Sequence, residues 1–315
     1  MTGRTIATPP LTSRLPVETS ARMRSLTKQR SVGASGRSRP ARKQDGSWGL
    51  IRFVVTLLLI AWALRSFVFA PFSIPSSSML PTLYIGDYLV VAKWPYGYSR
   101  YSFPFGFPTF SGRILGGLPK RGDVVVFRHP YEDEDLIKRV IGLPGDTVEV
   151  RGGALILNGK TVQRQALRPL GVQITANSPC KVAPGAPPKV FSIGSVAAIR
   201  VKSYCVYRAY RESLPNGPSY TTLDQLDEGP ADDFAAVKVP AGHVFLMGDN
   251  RDDSLDSRFG PAEGGIGMVP ADHLIGRAMV TFWSTDGGAS YVKPWTWFTA
   301  LRGRRIGNGY TGTPE

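Results

Sequence analysis

The chain is poor in the residues on which metal and histidine chemistry depend. Cysteine occurs twice in 315 residues, as Cys180 and Cys205, and neither belongs to a Cys-x-x-Cys. That removes the usual ligand spacing of a zinc site. The two sulfurs form one disulfide in an oxidising compartment or stay two buried thiols elsewhere, since spacing alone does not fix pairing. Histidine occurs three times, as His129, His243 and His273. No serine sits in a Gly-x-Ser-x-Gly elbow or another triad signature, so a Ser-His-Asp enzyme has no motif support. No internal repeat is present. Acid is nearly missing from the first 47 residues, where only Glu18 and Asp45 face ten basic residues from Arg4 to Lys43. Aromatics are almost absent there too.

Residues 1–47 therefore read as a disordered basic tail, unable to bury enough surface to offset the entropy of ordering. The tail carries much of the net charge of +14. Such a tail suits anionic lipid or nucleic acid. The apolar run that follows favours lipid. Its Arg- and Ser-rich composition also resembles a transit peptide, but its prolines and the lack of an amphipathic stripe count against that reading. Ser25-Leu-Thr-Lys28 has Ser-x-x-Lys spacing, yet a disordered tail cannot preorganise a site.

Residues 48–70 read as one transmembrane helix. The charge-free core, Phe53 to Leu64, is too short alone for about 30 Å of hydrocarbon, but the whole run suffices if Arg52 and Arg65 snorkel to opposite surfaces. The excess of basic residues before it places the N-terminus in the cytoplasm and everything after Ala70 outside. Val68-Phe69-Ala70 resembles a leader-cleavage site, but Pro71 follows at once, and a proline there is expected to block cutting.

Beyond the span, 35 glycines and 26 prolines favour short strands separated by turns. Strands are expected at Tyr88–Ala92, Asp123–Arg128, Leu136–Ile141, Thr147–Val150, Ala154–Leu157, His243–Met247 and Val280–Trp283. Residues 96–119 read as a projecting ribbon. The fold class expected is mainly β: an antiparallel-sheet catalytic domain of residues 71–157 and 241–315, interrupted by a smaller inserted β domain of residues 158–240.

Two features carry chemistry. Ser76-Ser77-Ser78 lies between Pro75 and Pro81, each fixing its own φ and extending the residue before it, so a hydroxyl there is held at a reproducible angle. An ordinary Pro-Ser turn would have the same composition. Lys138 sits in an apolar strand beside Arg139, and strand alternation sends the two side chains to opposite faces. A lysine desolvated among apolar groups loses its proton more readily and becomes a general base. A solvated strand lysine is the plainer alternative.

The order Ser76-Ser-Ser-Met-Leu-Pro-Thr-Leu83, Ile85-Gly-Asp87, Lys120-Arg-Gly-Asp-Val-Val-Val-Phe127, Ile137-Lys-Arg-Val-Ile-Gly-Leu-Pro-Gly-Asp146 and Gly248-Asp-Asn-Arg-Asp-Asp-Ser-Leu-Asp-Ser-Arg258 resembles the boxes of bacterial type I signal peptidases. The likeness covers about 65–155 and 240–310. It implies a serine endopeptidase with Ser78 as nucleophile and Lys138 as general base. It implies an oxyanion hole from the Ser76 hydroxyl and the Ser78 N–H, a lysine-orienting Ser254, and a supporting ion pair of Asp256 and Arg258. Ile74, Met79, Leu83, Leu136 and Ile137 match the wall of the pocket for the residue before the cut. Phe72, Leu89 and Val126 match the pocket two residues further back. Bulky walls leave space for alanine-sized groups, hence cutting after Ala-x-Ala. Ser77 stands where many relatives carry glycine. The implied partners are secretory preproteins and the phospholipid bilayer, with no nucleic acid, no cofactor and no metal, and the chain is expected to act as a monomer in the inner membrane. Trp295-Thr-Trp-Phe298 with Arg302, Arg304 and Arg305 reads as a surface that dips into the outer leaflet. A Ser-Lys self-cleaving repressor lacks the membrane span. A dead peptide-binding module would not need both Ser78 and Lys138.

Overall fold

A computed structural model describes residues 47–181, 189–193, 202–290 and 292–310. The basic segment 1–46 and the Pro-Gly loop 184–188 lie outside the described residues. Helix α1 (Ser47–Ala63) continues through a π-helical turn, Leu64–Val68, into strand β1 (Phe69–Ser73). The apolar helix therefore runs Trp48–Val68, 21 residues, or about 31 Å at 1.5 Å per residue. Its side chains are mostly exposed, with Ser66 buried near the end, and the helix is long and apolar enough to cross a membrane. Phe69 and Ala70 are not part of the span as expected; they pair with Ala92 and Val91. Pro71 disfavours helical geometry at Ala70, and the strand ladder satisfies the backbone instead.

The strands that follow are β2 (Asp87–Ala92), β3 (Val124–Arg128), β4 (Asp135–Gly142), β5 (Thr147–Arg151), β6 (Ala154–Leu157), β7 (Lys160–Thr161), β8 (Gln163–Ala166) and β9 (Leu170–Gln173). Then come β10 (Val190–Ile193), β11 (Lys202–Ser213), β12 (Ser219–Asp224), β13 (Phe234–Lys238), β14 (His243–Met247), β15 (Val269–Pro270), β16 (Leu274–Ser284) and the short helix α2 (Thr296–Thr299). The fold is mainly β, and all strand pairs are antiparallel.

The principal sheet has seven strands in the order β1-β2-β16-β3-β4-β14-β15. Burial is continuous along β3 from Val124 to Phe127 and along β4 from Ile137 to Gly142. Strands covered on one face would alternate; unbroken burial means both faces are covered. This is why Lys138 and Arg139, though on opposite faces, are both buried. Gly276 lets β16 pack close to β2, since a Cβ there would meet the Ala92 carbonyl oxygen at 2.3 Å.

A second sheet groups β8 to β12 around the long strand β11, and a third runs β13-β5-β6-β7. The boundary expected at residue 158 falls inside this third sheet, where β7 and β13 extend the β5–β6 hairpin about Gly152-Gly153. Cys180 and Cys205 form a disulfide. Residues 96–119 contain one-turn helices and a single bridge, Tyr98 to Ile114, rather than a ladder. The Arg113 guanidinium accounts for this: it donates to the carbonyls of Tyr96 and Gly97 at 2.9 Å, and also to that of Leu274, pinning the segment to the start of β16. Phe105, Phe107, Ile114, Leu115 and Leu118 stay exposed.

Candidate active site

The turn from β1 to β2 carries the three serines. Its base is closed by Ile74 N–H to the Asp87 carbonyl at 2.9 Å and Gly86 N–H to the Ile74 carbonyl at 3.0 Å. Inside it, Leu80 N–H donates to the Ser77 carbonyl at 3.0 Å, and the Leu80–Pro81 peptide is cis. Met79 and Leu83 are fully buried beneath. Burying one such side chain contributes about 1.5–3 kcal/mol, enough to hold a turn in one position.

Lys138 projects from the middle of β4, opposite Val125 of β3. Its Nζ lies 2.8 Å from Ser78 Oγ. Both residues are buried, at 4% and 6% exposure. Burial pushes the Lys138 amine below the ordinary lysine range, against the opposing pull of Asp256, Asp253, Asp249 and Glu134. A neutral amine at this distance accepts the hydroxyl proton through its lone pair. Ser76 Oγ lies 3.3 Å from Ser78 Oγ on the solvent side. The Ser78 N–H donates to no acceptor among the described residues, so it is free to bind an oxyanion.

Arg139 occupies the opposite face of β4. It donates to Asp249 from Nε at 2.7 Å and from Nη2 at 2.6 Å, a fork-to-fork pair, and stacks on the Tyr220 ring at 4.2 Å. The loop 248–258 packs against the serine turn through the Asn250 N–H, which donates to the Ser78 carbonyl at 3.0 Å. Asp256 and Arg258 are buried and paired at 2.9 Å. Burial disfavours the Asp256 carboxylate, but Arg258 and the Gly248 N–H outweigh it and hold the group below the usual carboxylate range. Ser254 is buried nearby, and its hydroxyl helps to hold the Asp256 carboxylate in its charged form. Gly248 lets the Ser254 side chain and the Ser78 carbonyl approach the loop closely, since a Cβ there would meet both within 3 Å.

A pocket of about 30 Å³ opens beside the pair, lined by Phe72, Ile74, Ser76, Val126, Leu136, Ile137 and Lys138 among others. Five of the eight expected pocket residues reach its wall. Met79, Leu83 and Leu89 lie in the core cluster behind it, where they support the wall instead of lining it. Asp135 lines the rim, a residue the sequence did not single out, and pairs with Arg128 at 3.0 Å.

Ser77, the rival hydroxyl, donates to Asp253 rather than facing Lys138. Its φ is not positive, so the position does not need glycine. Another missed residue is Glu212 on β11. It is buried, accepts from Arg251 at 2.5 Å and from the Tyr220 hydroxyl at 3.0 Å, and no local pattern in the sequence marks it.

His129, Glu132 and Glu134 bring ligand-type atoms within 4.8 Å of one another. The His129 Nδ1 accepts the N–H groups of Tyr131 and Glu132 at 3.1 and 3.0 Å. A neutral ring held this way carries its proton on Nε2 and has no lone pair left for a cation. The arrangement caps the β3–β4 turn.

A family model described as signal peptidase, peptidase S26, matches residues 47–283. Signal peptidase I of Rickettsia massiliae (strain Mtu5) is 32% identical over 271 residues, covering 79% of this chain and 87% of its own. Signal peptidase I of Pseudomonas fluorescens is 34% identical over 235 residues, covering 72% and 69%. A solved signal peptidase I from Enterococcus faecalis V583 is 26% identical, covering 51% of this chain and 97% of its own, with a TM-score of 0.25.

Proposed function

Because the chain belongs to the signal peptidase family S26, a family of serine endopeptidases that remove signal peptides, we propose that it cuts exported preproteins after Ala-x-Ala-like sites with a Ser78–Lys138 dyad. The supporting observation is the 2.8 Å approach of Lys138 Nζ to Ser78 Oγ in a buried setting. Neutral Lys138 takes the Ser78 proton as Oγ attacks the scissile carbonyl carbon. The Ser78 N–H and the Ser76 hydroxyl stabilise the oxyanion. The C–N bond then breaks, Lys138 returns the proton to the leaving amine, and an acyl-Ser78 ester remains. Water, deprotonated by Lys138, hydrolyses the ester and frees Ser78.

The substrate enters as an extended strand along β4 near Lys138 and Ser76. Pocket walls of Ile74, Leu136 and Ile137 beside the nucleophile, and of Phe72 and Val126 beyond, leave room for methyl-sized side chains. Helix α1 anchors the chain in the inner membrane as a single pass, tail inside and β body outside. Ala70 is buried and strand-paired, which keeps the cleavage-like run before Pro71 from being cut. Trp295 and Phe298 are exposed around α2 and rest on the outer leaflet beside the substrate. The enzyme acts as a monomer on secretory preproteins, with neither metal nor cofactor.

The test uses the full chain in detergent micelles with a preprotein bearing an Ala-x-Ala site. Ser78→Ala and Lys138→Ala should each abolish product while leaving the unfolding midpoint near that of the parent. Full activity in Lys138→Ala rules out the dyad.

A further inference from the structure

Ser77 stands where many relatives carry glycine, and the dyad does not account for its contact with Asp253. Ser77 is buried, and its hydroxyl donates to Asp253 Oδ2. The Asn250 side-chain amide donates to the Ser77 carbonyl at 3.2 Å and lies 3.4 Å from Asp253 Oδ2. The Asn250 N–H holds the Ser78 carbonyl at 3.0 Å. Three groups of the serine turn are thus gripped by one stretch of the 248–258 loop. Since φ at Ser77 is ordinary, its contribution is the hydroxyl and not backbone freedom.

Charges around Lys138 differ in how they are engaged. Asp249 is forked by Arg139, and Asp256 by Arg258. Asp253 is held by a hydroxyl and an amide, and among the described residues no guanidinium or ammonium pairs with it. Glu134 lies further along the β3–β4 turn, and Asp253 is near enough to Tyr207 of β11 to disfavour its phenolate, after burial. Asp253 therefore offers a negative charge that is not already spent on a cation.

We infer that Ser77 and Asp253 form a lock between the serine turn and the 248–258 loop, making both residues positioning residues for Ser78 and Lys138. The inference rests on the dyad reading. The lock fixes where the Ser78 hydroxyl sits relative to the amine, and a 1 Å error there costs about a hundredfold in rate. Its carboxylate also favours the ammonium that forms as Ser78 loses its proton. Burial alone would leave that ammonium too costly, because an isolated charge in a dry interior loses its hydration.

The experiment measures steady-state cleavage of a preprotein by the full chain in micelles across pH, with Ser77→Ala, Asp253→Asn and the double variant. Ser78→Ala runs beside them. An asparagine at 253 still accepts the Ser77 hydrogen but carries no charge. Asp253→Asn should shift the acid limb of kcat to lower pH, because the amine loses a group that favours its protonated form. Ser77→Ala should lower kcat about tenfold with KM within about twofold, the loss expected for one hydrogen bond to a charged group. The double variant should be little worse than the more impaired single variant. An unmoved acid limb in Asp253→Asn, or additive losses in the double variant, overturns the lock. So does a kcat loss in Ser77→Ala that tracks a falling unfolding midpoint. If Ser77→Ala does not fold, the acid limb of Asp253→Asn decides alone. Cutting by Ser78→Ala would sink the dyad reading instead, whereas a dead Ser78→Ala beside a fully active Ser77→Ala sinks only the lock.

Discussion

Replacing Gly248 by alanine tests whether loop-to-loop contact sets the geometry of the site. A Cβ at this position would lie 2.3 Å from Ser254 Oγ, 2.5 Å from Ser254 Cβ and 2.6 Å from the Ser78 carbonyl oxygen. No rotamer change relieves the last contact, because the oxygen is backbone. The Gly248 N–H is also committed to Asp256 at 2.9 Å, and its carbonyl to Arg251 at 3.2 Å, so the glycine cannot simply retreat. The serine turn has to give, by roughly 0.5–1 Å if the new contact is to reach ordinary van der Waals distance. Overpacking of this kind costs about 1–3 kcal/mol of stability. A nucleophile displaced that far loses about tenfold to a hundredfold in kcat. Urea unfolding reads the first quantity, and cleavage of a preprotein under saturating substrate reads the second. Parental stability together with parental kcat in Gly248→Ala would refute the argument that this contact positions Ser78.

Asp256→Asn should destabilise the fold by about 3–5 kcal/mol, because Arg258 would then be buried without its counter-charge; urea unfolding at neutral pH checks it. In the parent protein, a folded carboxyl held below its unfolded value of about 3.9 stabilises above that pH, and the contribution is lost as pH falls through the folded value. The acid-unfolding curve of Asp256→Asn should lack that component. Lys138→Met should abolish cleavage yet raise the unfolding midpoint at neutral pH. Between the lowered folded value and the unfolded value of about 10.4, the unfolded chain binds more protons, so the parent gains stability as pH rises and the methionine variant does not. Equal pH slopes for the two proteins would contradict a desolvated lysine. For the same reason kcat of the parent should climb from acid to neutral-alkaline pH; a maximum near pH 5 contradicts a lysine base. Glu212→Ala should cost about 3–5 kcal/mol by stranding Arg251, and should also lower kcat, since Arg251 holds the Gly248 carbonyl; loss of neither would show that strand β11 does not support the site.

Much of the catalytic body was legible because its signals are local. The β-rich run Asp123–Arg128 marked a strand, though only the sheet showed that both its faces are covered. Gly152-Gly153 marked a hairpin, and His243–Met247 was bounded by turn residues on both sides. The ordered boxes from Ser76 to Arg258 identified the family. Errors arose where a distant group decides local form. Phe69 and Ala70 look helical until β2 offers them a ladder. Residues 96–119 look like a free ribbon until Arg113 ties them to β16.

Chain order alone established the apolar span, the β-rich body and the candidate pair Ser78 and Lys138, since periodicity, proline placement and motif order are properties of neighbouring residues. Three matters depended on tertiary structure: the 2.8 Å meeting of those two side chains, the burial of Arg139 on the other face, and the grip of Asp253 and Glu212 on the site. Lys138 follows Ser78 by 60 residues, and Glu212 precedes Arg251 by 39. Distance, desolvation and counter-charge over such separations come into being only when the sheet closes.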